Sequence, residues 1–238
     1  GVEGSNPFFH PFNAVWFSVK DIKPLFYIMA DNYLERKMDE YSSLPQKRKK
    51  THELFSLLRK NRSYRGYDKK FIVRRDQLER IISVNELLPS ARNQQVLRFR
   101  IVLADEAEKI TKLCHFGGGL PELKLPKQGE EPNAYIVVCT TVEIHKYVYM
   151  DLGISAQSML LAATEIGLSG LCIGAFSKEE VKKTLNLSLE PILVIAIGKG
   201  SEKIELKSIK EEESHAYYRI GDTHFGPKVR LEDLLIKP

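Results

Sequence analysis

The sequence predicts one mixed α/β or α+β domain, because segments with helical and with strand periodicity alternate along its 238 residues without repeats or low-complexity tracts. Two continuous apolar runs, "AYIVVCT" (134–140) and "PILVIAIG" (191–198), predict strands that are buried on both faces. Between them, residues 147–167 carry small and apolar side chains at three- and four-residue spacing, which predicts a long helix.

Shorter elements are expected around this centre. They are a strand at 97–104, helices at 51–60, 105–113 and 177–185, a Gly- and Pro-rich loop at 115–133, and a hairpin around Gly221-Asp222. Asp76 and Glu79 have the spacing of a capping box, which predicts a further helix that ends before Pro89. The chain is long enough for these elements to enclose a substantial core.

The first 28 residues differ in character from the rest. They are aromatic, interrupted by prolines, and carry charged residues inside their apolar run, so neither a signal peptide nor a membrane span is predicted. From Met29 onward the sequence becomes polar and helix-forming. We therefore expect residues 1–28 to be a non-native or disordered N-terminal extension, and residues 29–238 to form the single domain.

Charge and cysteine content narrow the class of protein only slightly. The net charge of +5 suits an enzyme with anionic ligands as well as a nucleic-acid binder. The basic run "QKRKK" (46–50) is interpreted as a solvated linker, because no aromatic residues interleave with its charges. Three scattered cysteines without a CxxC pair predict neither disulfides nor a zinc site, and favour a reducing cytoplasm. No metal, nucleic-acid or membrane partner is expected.

Several common catalytic motifs are missing from the sequence. It contains no GxxxxGK[ST], no GxGxxG after a strand, no HExxH and no GxSxG. Cys114 and His115 are adjacent, but adjacency in sequence does not bring a thiolate and an imidazole face to face. A buried or loop cysteine is the favoured interpretation of Cys114.

Three separated segments remain, each suited to part of one ligand. In "RSYR" (62–65), two guanidiniums and hydroxyls lie within four residues and can neutralise a phosphate, although a solvated basic turn is the alternative. In "PSARNQQ" (89–95), short polar groups on a loop can bond to the edge of a heterocycle, or simply form an Asn-containing turn. In "GLSGLCIGAF" (167–176), Gly170 and Gly174 would let the backbone approach a flat ligand, or would serve a tight strand connection.

Taken in order with "DLGISAQSMLLAATEIGLSGLCIG" and the basic tail "GPKVRLEDLLI", these segments resemble the nitroreductase family of flavoproteins from about Asn32 to the C-terminus. The resemblance implies an α+β fold: a mixed α/β sandwich with a central, mainly antiparallel sheet flanked by helices, in an intertwined homodimer. It also implies that FMN is bound at each of the two dimer-interface sites.

Carried over residue by residue, the resemblance implies three groups of FMN contacts. Phosphate, ribityl and pyrimidine contacts would come from Arg62, Ser63 and Arg65, with Lys228 and Arg230 completing the phosphate site. Contacts from the partner subunit would come from Pro89, Ser90, Ala91 and Asn93. The isoalloxazine face would be lined by Cys172, Ile173, Gly174 and Ala175. Val229 separates the two basic residues of the tail, which suggests that one of them points to solvent.

The implied activity is an NAD(P)H-dependent FMN oxidoreductase with no catalytic side chain of its own, because the cofactor carries the chemistry. NADH or NADPH would reduce FMN and leave, and a nitroaromatic, quinone or similar small acceptor would then occupy the same face. Tyr64 and Phe116 are candidates for stacking on substrate, against the alternative that both pack in the core. Alternative functions are a reductive dehalogenase or flavin-fragmenting enzyme of the same family, a non-catalytic FMN-binding protein, or a basic regulatory protein.

Overall fold

The structure is a computed structural model that describes residues 54–236, and the structural statements below concern that part of the chain. The predicted extension at 1–28 lies outside it. The α-helices described there are α1 (Leu54–Lys60), α2 (Arg75–Ser83), α3 (Ala104–Leu113), α4 (Lys146–Glu165), α5 (Lys178–Thr184) and α6 (Leu231–Leu234). The strands are β1 (Leu97–Val102), β2 (Ala134–Thr140), β3 (Ser169–Ile173), β4 (Glu190–Gly198), β5 (Lys203–Ile209), β6 (Tyr218–Ile220) and β7 (Thr223–Val229).

The central sheet has four strands in the order β1-β2-β4-β3, and every neighbouring pair is antiparallel. Strands β2 and β4 occupy its middle, with Val137 opposite Val194. Every residue of β2 is buried, as are the last eight residues of β4. The continuous apolar runs are therefore the two inner strands, and the predicted α+β class with an antiparallel central sheet is confirmed.

Successive residues of the inner strands enter two separate cores, because side chains alternate between the faces of a strand. On one face, Ile136 and Ile195 pack in a cluster with apolar residues of α2 and α4. On the other face, Val137 and Val194 pack in a cluster with residues of α3 and α5. The helices thus flank the sheet on both sides, and β3 forms one of its edges.

A second, three-stranded sheet has the order β5-β7-β6. Strands β6 and β7 form the predicted hairpin, with Ile220 opposite Thr223 and Gly221 at a φ of +56° in the turn between them. Strand β5 runs parallel to β7. The sequence analysis missed β5, since most of its residues are exposed and it lacks the apolar run that marks β2 and β4.

The predicted N-cap of α2, Asp76, is wrong by two residues. The helix begins at Arg75 with Arg74 as its N-cap, and the side chain of Gln77 accepts the backbone N–H of Arg74 at 3.0 Å. Asp76 instead forms an ion pair with Arg74 at 2.8 Å. None of the helices between Leu54 and Ile236 is long and apolar enough to cross a bilayer.

Candidate functional site

The segment after α1 lies along the edge of the central sheet. Ser63 and Gly170 form a parallel bridge, and the N–H of Tyr64 donates to the carbonyl of Gly170 at 3.2 Å. Further on, Tyr67 forms an antiparallel bridge with Gly200, just after β4. These bonds bring the "RSYR" segment against the start of β3, so two of the three predicted ligand segments are neighbours in the fold.

A cavity of about 130 Å³ lies between this segment and the second sheet. We call it the cationic pocket. Its polar lining consists of Arg62, Ser63, Arg65, Tyr217, His224 and Lys228, and residues of β5 supply an apolar wall. Among the described residues, 54–236, no carboxylate lines the cavity. The pocket therefore gathers four of the predicted phosphate-site residues, and its charge favours an anion.

The two arginines of the pocket carry buried nitrogens without acceptors. Within residues 54–236, neither the Nε of Arg62 nor the Nε of Arg65 has a hydrogen-bond partner. Their other nitrogens are partly used, since Arg62 donates to the carbonyl of Leu58 at 2.5 Å and Arg65 donates to that of Ser63 at 3.0 Å. Burial also lowers the pKa of Arg62, because it disfavours the charged form. Buried donors without acceptors are costly, so the pocket is suited to an anion that accepts from them.

An ion pair beneath the pocket fixes the backbone of the segment that carries the two arginines. The carboxylate of Glu202 accepts from the guanidinium of Arg219 on β6, and the side chains are only 6% and 14% exposed. The same carboxylate accepts the backbone N–H of Arg65 and that of Gly66, the latter at 3.1 Å. Glu202 therefore connects the second sheet to the segment that carries the arginines.

An aromatic side chain closes one side of the pocket. The guanidinium carbon of Arg65 lies 4.8 Å from the centre of the Tyr217 ring, a cation–π arrangement. The hydroxyl of Tyr217 accepts the N–H of Gly119 at 2.8 Å. A Cβ at Gly119 would lie 2.3 Å from that hydroxyl oxygen, so the close contact needs glycine. The Gly-rich loop is thus attached to the pocket.

The predicted flavin-face segment leaves the central sheet at the end of β3. Cys172, Gly174 and Ala175 are exposed there, and a Cβ at Gly174 would meet nothing within 4 Å. The side chain of Ile173 is buried in the core on the α3 side of the sheet, so only its backbone is available to a ligand.

The ligand-approach explanation for Gly170 is wrong. A Cβ there would lie 2.5 Å from a methyl of Leu160 and 2.8 Å from the carbonyl oxygen of Ala196. Packing inside the protein accounts for this glycine, which lies within β3 and not in the tight strand connection that was the alternative.

The third predicted segment lines a different, larger cavity. Pro89 and Ser90 face a space of about 460 Å³ beside α4, and in the part of the chain that the structure describes this space shares no lining residue with the cationic pocket. Buried Asp151 of α4 fixes the segment by accepting the N–H of Ala91 and the side-chain amide of Gln94, each at 2.8 Å. Ala91 is half-buried, whereas Asn93 is exposed and has a φ of +52°. Within a single chain, this segment therefore does not reach Arg62 and Arg65 of the cationic pocket.

The other predicted ligand residues have structural contacts of their own. The guanidinium of Arg230 pairs with Glu232 at 3.1 Å and with Asp233 at 3.3 Å, both on the C-terminal helix side. Lys228 lines the cationic pocket, whereas Arg230 is absent from its lining. Tyr64 and Phe116 pack against the core on the α3 side, which is the alternative that the sequence left open.

Cys114 is half-buried, and burial raises the pKa of its thiol to about 12. The thiol is therefore protonated near neutral pH and is a poor nucleophile. Among residues 54–236, no cluster of His, Cys, Asp or Glu side chains is arranged to hold a metal ion.

Sequence reasoning missed Glu202, Tyr217, Arg219 and His224, which support or line the pocket. They lie more than a hundred residues after the arginines, in or directly before strands of a sheet whose first strand was not predicted. One signal was available. His224, Gly226 and Lys228 alternate along β7, and alternate residues share one face of a strand. Predicting Lys228 at the phosphate therefore also implicates His224.

Comparisons with known proteins agree with this architecture. The nitroreductase family profile matches residues 133–199, which span β2 to just after β4. A protein of Archaeoglobus fulgidus, provisionally named an NADH dehydrogenase/NAD(P)H nitroreductase, is 30% identical over 61% of this chain and 82% of its own length.

Solved structures show the same fold. A nitroreductase family protein of Streptococcus pneumoniae has a TM-score of 0.56 at 18% identity, covering 78% of this chain and 100% of its own. A protein of Exiguobacterium sibiricum, provisionally named a nitroreductase and solved in complex with FMN, has a TM-score of 0.54 at 17% identity. That match covers 64% of this chain and 90% of the relative. These structures show the fold, and the sequence identity with the Archaeoglobus fulgidus protein leads to one conclusion: the chain belongs to the nitroreductase family, a family of oxidoreductases.

Proposed function

We propose that the chain is an FMN-dependent oxidoreductase that uses NADH or NADPH to reduce nitroaromatic, quinone or similar electron-poor small molecules. One observation carries the proposal. Two arginines and a lysine converge on one small cavity, and two guanidinium nitrogens there are buried without acceptors. The resting protein thus has the donors that a phosphate monoester needs. The FMN in the Exiguobacterium sibiricum relative and the nicotinamide-linked name of the Archaeoglobus fulgidus relative support the same proposal.

The residues of the pocket fit the phosphate of FMN in charge. Arg62, Arg65 and Lys228 would hold the phosphate, and the hydroxyl of Ser63 would bond to it or to the ribityl chain. Because Ser63 is bridged to Gly170, a ligand anchored in the pocket would extend along β3 toward the open space at Gly174. When bound, FMN would supply the redox chemistry, taking a hydride from the nicotinamide and passing electrons to the acceptor.

The remaining role of the protein is to position the bound flavin and to shield one face of its ring. No side chain is assigned as a nucleophile or obligate base, in keeping with the protonated thiol of Cys114. The backbone at Cys172–Ala175 would lie against the ring. Nicotinamide and acceptor would use its opposite, open face in turn, which is a ping-pong order.

We further propose that the enzyme is a homodimer in which the 89–95 segment completes the site of the second subunit. Pro89 and Ser90 line a cavity separate from the cationic pocket of their own chain. They could therefore contact the ligand only in the cationic pocket of a second subunit. The helix beside them exposes large apolar side chains, with Tyr149 and Met150 57% and 58% exposed. Such a surface favours burial against another protein surface. The three free cysteines fit a reducing cytoplasm as its compartment.

The proposal is tested by reconstituting the purified protein with FMN, removing free flavin, and adding NADH or NADPH without oxygen. Bound flavin should bleach with one of the two nicotinamides and regain its yellow colour when a quinone or nitroaromatic is added. A protein that retains no flavin refutes the cofactor assignment. A protein that retains flavin but is reduced by neither nicotinamide refutes the oxidoreductase assignment and favours an FMN-binding role.

A further inference from the structure

His224 lies on β7 inside the cationic pocket, and it is the least explained polar group there. Its side chain is buried, with 4% of the residue exposed, and it lines the same cavity as Arg62, Arg65 and Lys228. Within residues 54–236 the ring nitrogen Nδ1 is buried and has no hydrogen-bond partner. A buried imidazole nitrogen without a partner is costly, which indicates that a ligand supplies the missing bond.

The surroundings of His224 determine its charge. Burial, Arg65 and Arg219 together lower the pKa of the imidazole to about 4. The ring is therefore neutral near pH 7 and carries one N–H. The Tyr217 ring packs beside it at a centroid distance of 5.2 Å, and Arg219, opposite His224 in the β6–β7 pairing, forms an ion pair with Glu202. A neutral donor suits this position, because another cation would be repelled by Arg65 and Arg219.

We propose that His224 is an additional ligand of the FMN phosphate, to which its imidazole donates the Nδ1–H. The proposal rests on the proposed function, since it names a further residue of the same site. The supporting geometry is the alternation of β7, which directs His224, Gly226 and Lys228 to one face. Gly226 also lines the cavity between the two side chains, so a phosphate there is not obstructed by a Cβ.

A consequence of this assignment separates it from a purely structural role. The bond is made only to the phosphate, so His224 should affect the binding of FMN and not the binding of riboflavin, which has the same ring system and ribityl chain without the phosphate. A histidine that merely packs the second sheet would affect both ligands equally, because both depend on an intact fold.

The experiment is calorimetric titration of FMN and of riboflavin into the full-length protein and its His224→Leu, His224→Asn and His224→Gln variants. The amide nitrogen of Asn occupies nearly the position of Nδ1, whereas that of Gln occupies nearly the position of Nε2. We expect His224→Leu to raise the Kd for FMN roughly 10- to 100-fold, the effect of one hydrogen bond to a charged group. The Kd for riboflavin should stay within about twofold, and His224→Asn should keep most of the FMN affinity.

Three results would overturn the assignment. Unchanged FMN affinity in His224→Leu would remove the proposed bond, and equal losses for FMN and riboflavin would make the role structural. Retention by His224→Gln together with loss by His224→Asn would move the bond to Nε2. If His224→Leu does not fold, the Asn and Gln pair still decides. A wild-type protein that binds no FMN refutes the proposed function itself, which is a different result from wild-type binding with an inert His224.

Discussion

Glu202 and Arg219 form a nearly buried ion pair under the cationic pocket, and the carboxylate also accepts the backbone N–H groups of Arg65 and Gly66. One carboxylate thus fixes both the second sheet and the segment that carries the site arginines. Burying an ion pair is expensive unless further hydrogen bonds satisfy its remaining lone pairs, and the two backbone donors meet that condition.

Replacing Glu202 with Ala should therefore destabilise the protein strongly. The change leaves Arg219 buried without its partner, which costs about 3–5 kcal/mol in the free energy of unfolding. Urea unfolding of Glu202→Ala and wild type measures this difference. The matched control is Glu205→Ala, which removes an exposed ion pair with Lys203 and should cost no more than about 1 kcal/mol. Equal effects of the two substitutions would contradict the anchoring role of Glu202.

The basic residues of the site should differ in their contribution to FMN binding. Arg62→Ala removes a half-buried guanidinium whose buried Nε has no acceptor within residues 54–236, so it should weaken FMN binding by about 1.5–3 kcal/mol. Arg230→Ala should weaken it less, because Glu232 and Asp233 already engage that guanidinium. Lys228→Ala should resemble Arg62→Ala. Fluorescence titration with FMN gives the three values, and a larger loss at Arg230 than at Arg62 would reverse this ranking.

Alanine substitutions at Gly170 and Gly174 should affect different properties of the protein: the first its stability, the second its binding of FMN. A methyl at Gly170 would be forced against Leu160 and the carbonyl of Ala196, so Gly170→Ala should lower the free energy of unfolding by about 1–3 kcal/mol. A methyl at Gly174 meets nothing within 4 Å, so Gly174→Ala should leave the stability of the ligand-free protein within about 0.5 kcal/mol of wild type.

If the flavin ring lies against the end of β3, Gly174→Ala should nevertheless weaken FMN binding. Thermal melts with and without FMN measure both effects. A destabilised but normally binding Gly174→Ala protein would contradict the proposed position of the ring.

Stability should depend on pH through His224. The pKa of this histidine is lowered to about 4 in the folded state, against about 6.5 when unfolded. Between these pH values the unfolded chain binds more protons than the folded chain. The contribution of His224 to folding stability therefore decreases as the pH falls from about 6.5 to 4, and it is constant below that window. The total change should not exceed about 3.4 kcal/mol, which is 1.36 kcal/mol for each of about 2.5 pKa units.

Urea unfolding of wild type and His224→Asn across this pH range isolates the effect from that of the carboxylates. The wild-type free energy of unfolding should decrease more steeply with acidification than that of the variant. Identical slopes would show that His224 titrates normally in the folded protein.

The sequence predicted the centre of this fold well and its periphery poorly, for physical reasons. Strands β2 and β4 are buried on both faces, so their continuous apolar runs identify them as strands without any knowledge of the strands they pair with. Strand β5 is mostly exposed, and its charged and apolar residues resemble those of a loop. Its neighbour β7 was placed only as part of a hairpin, so the sheet that forms one wall of the cationic pocket was missing from the prediction.

The site was predictable to the extent that its residues are consecutive. Arg62, Ser63 and Arg65 were identified as a unit, and the structure keeps them in one pocket. Glu202 reaches the backbone of Arg65 across 137 positions, and no local pattern announces a contact of that separation. The separation of Pro89 and Ser90 from the pocket also required coordinates, because the sequence does not show that these residues line a different cavity, beside α4.

The central claim, that the cationic pocket holds the phosphate of FMN, is tested most directly by comparing wild-type affinities for FMN and riboflavin at the same ionic strength. Three cations and buried donors that act on the phosphate alone should make FMN bind at least about 100-fold more tightly, the equivalent of about 2.7 kcal/mol. Equal affinities for the two flavins would contradict the claim.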